Sequence, residues 1–271
     1  MKQQACAGIS RVLIVIVIVG MMTIGATAQT EKILYSFTGG GDGGSPVSST
    51  VFDSKGNLYG TTSSGGANFG GTVFELSPGS NGTWSEKVIH SFAFNGIDGF
   101  DPLGSVVFDS KGNLYGTTAA GGPLGAGTVF QLVQGSGGTW TENILYSFSS
   151  LIDGGEPTGP VVLDSAGNVF GSTYYGGTYG FGTVFEVVRG SNGTWTEKVL
   201  HSFTGGNDGS SPYYSPVILD GAGNIYGIAQ NGGLHDYGVV FGVDSRHMER
   251  DSFVRVHWRF HGKQSYRRLG T

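Results

Sequence analysis

Four aspartates recur in one short motif, Asp-Gly-x-x-Pro, at nearly regular intervals: Asp42, Asp98, Asp153 and Asp208. If the fold brought these equivalent positions together, their carboxylates would form a ring of oxygen ligands that suits a hard cation such as calcium. The motif also has a purely structural explanation, because aspartate before glycine makes a tight turn and proline fits the start of a strand. Repetition in every copy favours the turn. Calcium is the only cofactor that the sequence suggests, and it depends on such a ring.

Nine further residues with binding chemistry lie in glycine-rich segments that differ from copy to copy: Asn68, Phe69, Tyr174, Tyr175, Tyr179, Phe181, His235, Asp236 and Tyr237. Aromatic side chains beside hydrogen-bonding groups suit sugars, because the CH-rich face of a sugar ring packs on an aromatic face. The alternative is that these side chains fill space around the glycines. The set predicts a surface that binds a glycan or a cell-surface polymer.

Residues arranged for catalysis are few. His235 and Asp236 are adjacent, but adjacent side chains rarely orient each other, and no activated serine is identifiable nearby. A carbohydrate-active hydrolase or lyase would require one unique acid–base pair, for which Glu156 and the His235-Asp236 pair are the candidates. The sequence therefore favours a non-enzymatic protein.

Other ionisable residues recur once per copy, which indicates packing instead of chemistry. Glutamates in strand-like segments are expected to be surface or cross-strand partners: Glu75, Glu86, Glu142, Glu186 and Glu197. At one strand position histidine alternates with tyrosine, and we expect these side chains to pack: Tyr35, His90, Tyr146 and His201.

All these residues belong to a repeated sequence. The block VFDSKGNLYG occurs at 51 and at 107, and it returns as VLDSAGNVFG at 162 and ILDGAGNIYG at 218. A second block, GTVFEL at 71, also recurs in all four copies, whereas a third, TWSEKVIHSF at 83, recurs only in the first three. A lone EKILYSF at 31–37 matches the end of the third block.

Each copy is predicted to form four short antiparallel strands. V-F-D and L-Y-G-T-T flank the turn D-S-K-G-N, in which the aspartate accepts backbone N–H bonds and the glycine takes a positive φ. T-V-F-E-L and W-x-E-K-V flank a second turn. Four sequential strands in a repeat of about 56 residues are typical of a propeller blade. The predicted fold class is all-β, a β-propeller of four-stranded antiparallel blades, with four blades or as a truncated larger propeller.

Closure of the ring has three candidate explanations. Residues 31–37 could pair as the outer strand that the last blade lacks, which would remove two open sheet edges. Residues 254–260 alternate apolar residues with Arg and His and could supply that strand instead. A truncated or frame-shifted copy of a longer propeller would leave the ring open. The blade count depends on which explanation holds.

The pattern GNLYGTT…GGTVFEL…W…E…LYSF resembles the GloVer (Gloeobacter/Verrucomicrobia) tandem repeat of secreted bacterial proteins, which carry a choice of C-terminal anchors. The resemblance spans residues 31–243 and rests on three blocks that recur in order. It implies export and a repeat architecture and no particular reaction. The chain departs from the family pattern at its C-terminal end, where the fourth copy lacks the Trp block and residues 245–271 show no sorting anchor.

Residues 1–28 have the features of a secretory signal peptide. Lys2 and Arg11 precede an apolar run over residues 12–25, and residues 26–28 read Ala-Thr-Ala, which fits a signal-peptidase site. The run is shorter than the roughly 20 residues that span a bilayer, so we expect no membrane insertion after cleavage. Cleavage would remove Cys6, the only cysteine, and leave a chain without disulfides.

The remaining chain divides into a repeat domain, residues 29–244, and an atypical basic tail, residues 245–271. Residues 1–244 hold eight Lys and Arg against 18 Asp and Glu, whereas the tail holds seven against two. An acidic body gives no reason to expect nucleic-acid binding, which needs a basic face. The 51 glycines lack a G-X-Y period and are typical of many short strands joined by tight turns.

Together these features predict an exported, non-enzymatic β-propeller that acts as a binding module in the periplasm, in the cell envelope or outside the cell. The variable loops, on the propeller face opposite the short turns, would bind the glycan or surface polymer. We expect a monomer. A carbohydrate-active enzyme on the same scaffold and a purely structural envelope protein are the alternatives, since a fold alone implies no reaction.

Overall fold

The structure, a computed structural model, describes residues 31–244. The signal peptide predicted over residues 1–28 and the tail over 245–271, with its alternating pattern at 254–260, lie outside these residues. The described residues from Tyr35 onward belong to one compact unit, and residues 31–34 belong to a second. No helix within residues 31–244 is long and apolar enough to cross a membrane.

The described chain forms β-strands, and its only helical elements are two 3-10 turns, Ser80–Gly82 and Ser136–Gly138. Sheet I consists of β1 (Val51–Phe52), β2 (Leu58–Thr62), β3 (Phe69–Pro78) and β4 (Trp84–Ala93). A short ribbon pairs β5 (Gly99–Phe100) with β8 (Ala120–Gly121). Sheet II consists of β6 (Val107–Phe108), β7 (Leu114–Thr118), β9 (Thr128–Gln134) and β10 (Trp140–Ser147).

Sheet III consists of β11 (Val162–Leu163), β12 (Val169–Thr173), β13 (Thr183–Arg189) and β14 (Trp195–Ser202). Sheet IV has three strands, β15 (Ile218–Leu219), β16 (Ile225–Ala229) and β17 (Val239–Val243). In every sheet each strand pairs antiparallel with its neighbour in sequence. The all-β class and the four-stranded antiparallel sheets predicted for the first three copies are confirmed.

A tight turn after the first strand of each sheet is built around an aspartate. In sheet II, Asp109 Oδ1 accepts the backbone N–H groups of Lys111 and Asn113 at 2.8 and 2.9 Å. Its Oδ2 accepts the Asn113 amide at 2.7 Å and the Tyr115 hydroxyl at 3.3 Å. Gly112 has a φ of 85°, a conformation that glycine adopts without strain. The predicted turn is confirmed.

Replacing Asp109 with alanine should lower the free energy of unfolding by about 1–2 kcal/mol, because four hydrogen bonds lose their acceptor at once while water can replace part of them. Urea unfolding of the two proteins measures this difference. Lys111→Ala is the matched control, since its exposed side chain should contribute less than about 0.5 kcal/mol. Equal stability of the Asp109 variant and the parent would contradict the role of Asp109 as the acceptor that stabilises the turn.

The core consists of three clusters, each shared by two consecutive sheets, and we call them joints I–II, II–III and III–IV. A phenylalanine at or just after the end of the fourth strand of one sheet packs on a phenylalanine in the third strand of the next, with ring centroids 5.1 Å apart each time: Phe92–Phe130, Phe148–Phe185 and Phe203–Phe241. The first and third pairs are edge-to-face, and the second is tilted. A hydroxyl also donates across each joint, as from Thr61 Oγ1 to the Gly104 carbonyl at 3.0 Å. Each repeat therefore buries its faces against its neighbours, which explains why the chain repeats them.

A bulge in the fourth strand shapes each joint. The pairing of the third and fourth strands skips one residue of the fourth in sheets I, II and III, namely Ile89, Leu145 and Leu200. All three are buried in the core clusters. A bulge changes the direction of the neighbouring side chain. The residue that follows it, a histidine or a tyrosine, can therefore reach into the joint.

Sheet IV ends in an unpaired edge. Among residues 31–244, β17 pairs only with β16, and residues 31–38 form no strand. Phe37 nevertheless packs on Phe74 of sheet I at 4.9 Å, the same contact that holds the three joints together. On the open face of sheet IV, Ile228 is exposed and Val240 is 77% exposed. The pairing of residues 31–37 with the last sheet is thus not formed in this structure.

Candidate functional site

Four tyrosine rings contact one another in a continuous row beside joint III–IV, with neighbouring ring planes tilted by 58°, 49° and 56°. The neighbouring ring centroids are 4.1, 4.8 and 4.1 Å apart, and we call the row the tyrosine cluster: Tyr175, Tyr174, Tyr213 and Tyr214. The Tyr213 hydroxyl donates to that of Tyr214 at 3.1 Å. Three of the rings are exposed and Tyr174 is half-buried. The row thus presents aromatic faces and hydroxyl groups to solvent.

The loop after β12 holds the first half of the cluster in place. The Tyr174 N–H donates to the Glu156 carbonyl at 3.0 Å, and Tyr175 exchanges two backbone hydrogen bonds with Gly155 at 3.0 and 3.1 Å. Gly176 follows with a φ of 76°, and a Cβ there would lie 2.6 Å from the Cα of Gly154. This close approach fixes the tyrosines against the preceding loop.

The segment before β15 holds the second half. The Tyr214 N–H donates to Thr158 Oγ1 of the previous repeat at 3.0 Å. Tyr214 has a φ of 50°, a conformation that costs a side-chain-bearing residue free energy and persists only where surrounding contacts impose it. The segment is one residue longer than its counterparts. Ile218 follows Pro212 by six positions, whereas Val107 follows Pro102 by five.

Two carboxyl groups border the tyrosine cluster. Burial raises the pKa of Asp101, and burial followed by the charge of Asp101 raises the pKa of Glu156. The hydrogen bond with Tyr214 raises the pKa of Tyr213 to about 12, with a smaller contribution from Asp101. A hydrogen bond with Tyr174 raises the pKa of Tyr175, with a smaller contribution from Glu156. These mutual effects show that the carboxyl groups and the rings share one neighbourhood.

Both carboxyl residues stand at strained backbone positions. Asp101 has a φ of 60° and Glu156 a φ of 52°. They occupy the residue before proline in the Asp-Gly-x-x-Pro motif, where Ser45 and Ser211 stand in the other two copies, also at positive φ. The motif therefore imposes the conformation in every copy, and only the second and third copies use it to present a carboxyl group.

Of the nine residues predicted to bind, ring contacts join only Tyr174 and Tyr175 into the cluster. The others lie in loops of sheets I, III and IV, except Phe69, which is the first residue of β3. Asn68 donates its side-chain amide to the Ser91 carbonyl at 3.1 Å, beside the exposed Phe69. Tyr179 and Phe181 are exposed in the loop before β13, and the Phe181 ring covers the Cα of Gly205.

The remaining three of the nine follow β16. Asp236 Oδ1 accepts the Gly232 N–H at 3.2 Å, so this carboxylate stabilises its own loop. His235 is exposed, and Tyr237 is 93% exposed. No hydrogen bond or ion pair joins His235 to Asp236 among the contacts within residues 31–244, as the adjacent-pair argument predicts.

Sequence reasoning missed Tyr213, Tyr214 and Asp101. The one available signal was that Tyr-Tyr occurs twice, once in each of two consecutive repeats. Nothing in the sequence states that a loop of the third repeat meets the segment leading into the fourth. That contact depends on how the two sheets stack.

The four repeated aspartates mostly complete their own turns. Asp42 accepts the Thr38 N–H at 2.8 Å and the Thr38 hydroxyl, and the same two contacts recur at Asp153 from Ser149 and at Asp208 from Thr204. Asp98 differs, because the residue at the hydroxyl position is alanine. These bonds support the turn interpretation; calcium at a ring of the four stays a prediction.

A histidine or tyrosine, an aspartate and a glutamate meet at two joints. His90, Asp98 and Glu142 meet at joint I–II, and Tyr146, Asp153 and Glu197 at joint II–III. Glu142 has only 15% of its side chain exposed, and Glu197 is half-buried. Glu142 and Glu197 are therefore not surface residues, because the preceding repeat covers the face on which they lie. The cross-strand role that was also expected holds for Glu186, whose carboxylate lies 3.4 Å from Lys198 Nζ on the neighbouring strand.

Comparison with known proteins gives a family. A model described as the Gloeobacter/Verrucomicrobia repeat matches residues 20–150 and 87–269. No curated protein matches. One similar solved structure is the crystal structure of a protein of unknown function from Dyadobacter fermentans DSM 18053, 13% identical, with a TM-score of 0.42. The similarity covers 72% of this chain and 64% of that one, so this chain spans less than two thirds of its length. On the family match over both overlapping ranges, the chain belongs to the Gloeobacter/Verrucomicrobia repeat family.

Proposed function

We propose that this chain is an exported, non-enzymatic binding module whose repeats are the blades of a β-propeller and whose tyrosine cluster binds a glycan or cell-surface polymer. The observation that carries the proposal is the row of four tyrosine rings in mutual contact, bordered by two carboxyl groups. Export is inferred from the basic start, the short apolar run and the Ala-Thr-Ala site near the N-terminus.

The repeated joints support the propeller. Consecutive sheets meet through the same phenylalanine pair three times, as consecutive blades do around an axis. Phe37 makes a fourth such contact with Phe74 although no strand stands beside it. Four-blade closure would bring residues 31–37 to the bare edge of β17 and cover the exposed Val240. A larger propeller is the alternative.

The tyrosine cluster is better explained by binding than by packing. Structural needs recur in every repeat, but the cluster occurs once. Where sheet III has Tyr174 and Tyr175 after its second strand, sheets I, II and IV have Ser-Ser, Ala-Ala and Gln-Asn. These other repeats build the same backbone with small or polar side chains, so the fold does not require the rings.

The chemistry of the cluster suits sugars. Exposed tyrosine rings offer flat apolar faces to the CH-rich face of a pyranose, and their hydroxyl groups donate to and accept from sugar hydroxyls. The carboxyl groups of Asp101 and Glu156 add acceptors beside the rings. Because the row of rings is open to solvent along its length, it fits a chain of sugar units better than one small molecule.

A thermal-shift screen of the full-length chain against soluble hexasaccharides of glucose, xylose and N-acetylglucosamine tests the proposal. A ligand at about 100 times its dissociation constant adds about 2.7 kcal/mol to stability, which raises Tm by several degrees. Tyr175→Ala and Tyr213→Ala should each weaken the binding roughly tenfold, since each removes one stacked ring. Tyr237→Ala is the control, because this exposed ring contacts no other ring in residues 31–244.

Two results would contradict the proposal. One is that no hexasaccharide and no envelope polysaccharide shifts Tm. The other is that Tyr237→Ala weakens binding as much as Tyr213→Ala, because the binding surface would then lie outside the tyrosine cluster.

A carbohydrate-active enzyme is the second candidate, and the observation that favours it is the pair of half-buried carboxyl groups at Asp101 and Glu156. An acid with a raised pKa beside a second carboxyl group is the arrangement that glycoside hydrolysis uses. Assay of reducing ends separates the candidates. The binding module releases none, whereas a hydrolase releases them and loses that activity in the Glu156→Gln variant while it still binds the sugar.

A further inference from the structure

His90, Asp98 and Glu142 converge at joint I–II from three separate elements. His90 lies on β4, Asp98 in the loop before β5, and Glu142 on β10 of the next sheet. His90 Nε2 is 3.7 Å from Asp98 Oδ2 and 3.7 Å from Glu142 Oε2. One ligand atom from each residue lies within 4.8 Å of the other two, and no other group of three His, Cys, Asp or Glu residues meets this condition within residues 31–244.

The three side chains leave buried polar atoms unpaired. His90 Nε2, Asp98 Oδ1 and Glu142 Oε1 are enclosed, and none has a hydrogen-bond partner among residues 31–244. Asp98 as a residue is only 8% exposed. An enclosed polar atom without a partner costs free energy, and each of the three residues contributes one such atom to this group. The arrangement therefore calls for a ligand that all three can bind.

The distances fit a metal ion better than direct hydrogen bonds. A separation of 3.7 Å is too long for a nitrogen–oxygen hydrogen bond. Two ligand atoms about 2.1 Å from a tetrahedral zinc ion are roughly 3.4 Å apart, so a small inward shift of the side chains would complete the coordination. One imidazole nitrogen and two carboxylate oxygens are ligands that zinc accepts, with a fourth position for water.

Joint II–III shows why the repeat does not form such a group everywhere. Tyr146 replaces the histidine there, and its hydroxyl donates to Asp153 Oδ2 at 3.2 Å. Ser149 donates its hydroxyl to the other oxygen of Asp153 at 2.5 Å. At joint I–II the residue equivalent to Ser149 is Ala93, which leaves Asp98 Oδ1 without a donor. Joint I–II thus differs from joint II–III at two positions, and both differences free ligand atoms.

At joint III–IV the histidine is present but the group is incomplete. His201 Nε2 is 3.2 Å from Asp208 Oδ2, and Thr204 donates its hydroxyl to the other oxygen of Asp208. Sheet IV has no fourth strand within residues 31–244 to supply the glutamate. Only joint I–II combines the histidine, the glutamate and an unsatisfied aspartate.

We propose that His90, Asp98 and Glu142 bind a divalent transition-metal ion, zinc by the chemistry of the three donors, and that the ion links sheet I to sheet II. The site is independent of the tyrosine cluster, which lies two joints further along the chain.

Titration of the metal-free full-length chain with Zn²⁺ by calorimetry tests the proposal, with Co²⁺ absorption as a report of the coordination. We expect one tight equivalent per chain and a rise of Tm on addition of Zn²⁺. His90→Tyr reproduces the residue that joint II–III carries naturally, so the fold should persist while the affinity for Zn²⁺ falls at least about 100-fold. Glu142→Gln should cause a similar loss with almost no change of shape.

A gain-of-function variant and a surface control complete the test. Tyr146→His combined with Ser149→Ala frees the same atoms at joint II–III, beside Glu197, and should add a second equivalent of Zn²⁺. His235→Ala removes an exposed histidine and should leave the affinity and the stoichiometry of Zn²⁺ binding unchanged. The proposal is overturned if the parent chain binds no Zn²⁺ or Co²⁺, or if His90→Tyr and Glu142→Gln both bind as the parent does.

Discussion

Replacing Phe130 with alanine should lower the free energy of unfolding by about 3–5 kcal/mol, the range for removal of a fully enclosed phenylalanine. The Phe130 side chain is 0% exposed and packs edge-to-face on Phe92 across joint I–II. Its ring also lies over Gly116, where a Cβ would come within 2.6 Å of Phe130 Cζ. The surrounding strands cannot collapse into the cavity, because the sheets on both sides fix their positions.

Urea unfolding followed by circular dichroism measures the loss. Phe52→Ala is the matched control, since Phe52 is 65% exposed at the edge of sheet I and its truncation should cost less than about 0.5 kcal/mol. A loss below about 1 kcal/mol for Phe130→Ala would mean that the joint does not hold consecutive sheets together.

Stability should also fall as the pH rises through neutrality, and Glu197 is the main cause. Burial, with a smaller contribution from the charge of Asp153, raises the pKa of Glu197 from 4.5 to about 8. Since this carboxyl group holds its proton in the folded state and releases it in the unfolded state, unfolding releases a proton between pH 4.5 and 8. The raised pKa of Glu197 therefore leaves the free energy of unfolding unchanged below about pH 4.5 and lowers it increasingly as the pH rises towards 8.

We expect Glu197 to lower the free energy of unfolding by about 2 kcal/mol at a pH above its pKa. A shift of this extent would correspond to roughly 5 kcal/mol for a fully enclosed group, but Glu197 is partly exposed and solvent screens it. Tyr146 stays neutral over this range because burial raises the pKa of its hydroxyl. The glutamine in the Glu197→Gln variant cannot ionise, so this variant should not show the loss of stability that Glu197 causes as the pH rises.

Unfolding of both proteins in urea at pH 5 and pH 8.5 isolates this group, because all other titrating groups are common to the two. We expect nearly equal stability at pH 5 and a variant more stable by about 2 kcal/mol at pH 8.5. Identical pH dependence of the two proteins would show that Glu197 ionises normally and that joint II–III does not enclose it.

The strands and turns were predictable because they depend on local sequence. The recurring blocks that flank the turns located the second and third strands of each repeat, and the Asp-x-x-Gly-Asn order located the turn that Asp109 completes. The first strand was predicted as Val-Phe-Asp and is only the two residues Val51–Phe52, since the aspartate turns the chain immediately. The three strands of sheet IV were expected from the absence of the third block in the fourth copy.

The candidate site was less predictable because it depends on contacts between repeats. Tyr174 and Tyr175 were predicted from composition, whereas Tyr213 and Tyr214 join them only because the third and fourth sheets stack. His90 was interpreted as packing because it alternates with tyrosine, and its ring does pack edge-to-face on Phe92 at 4.5 Å. The sequence argument did not combine it with Ala93, which stands where the other copies have Thr or Ser. In a repeat protein the single-copy departures from the pattern carry more information on function than the pattern itself.

Hydrogen exchange of the full-length chain, with and without the tightest-binding hexasaccharide of the screened panel, tests the binding site most directly. We predict slower exchange confined to residues 174–176 and 211–215, the two segments that carry the tyrosine cluster. Protection at residues 68–69 or 235–237 instead, or no protection in any segment at saturating sugar, would contradict a glycan site at the tyrosine cluster.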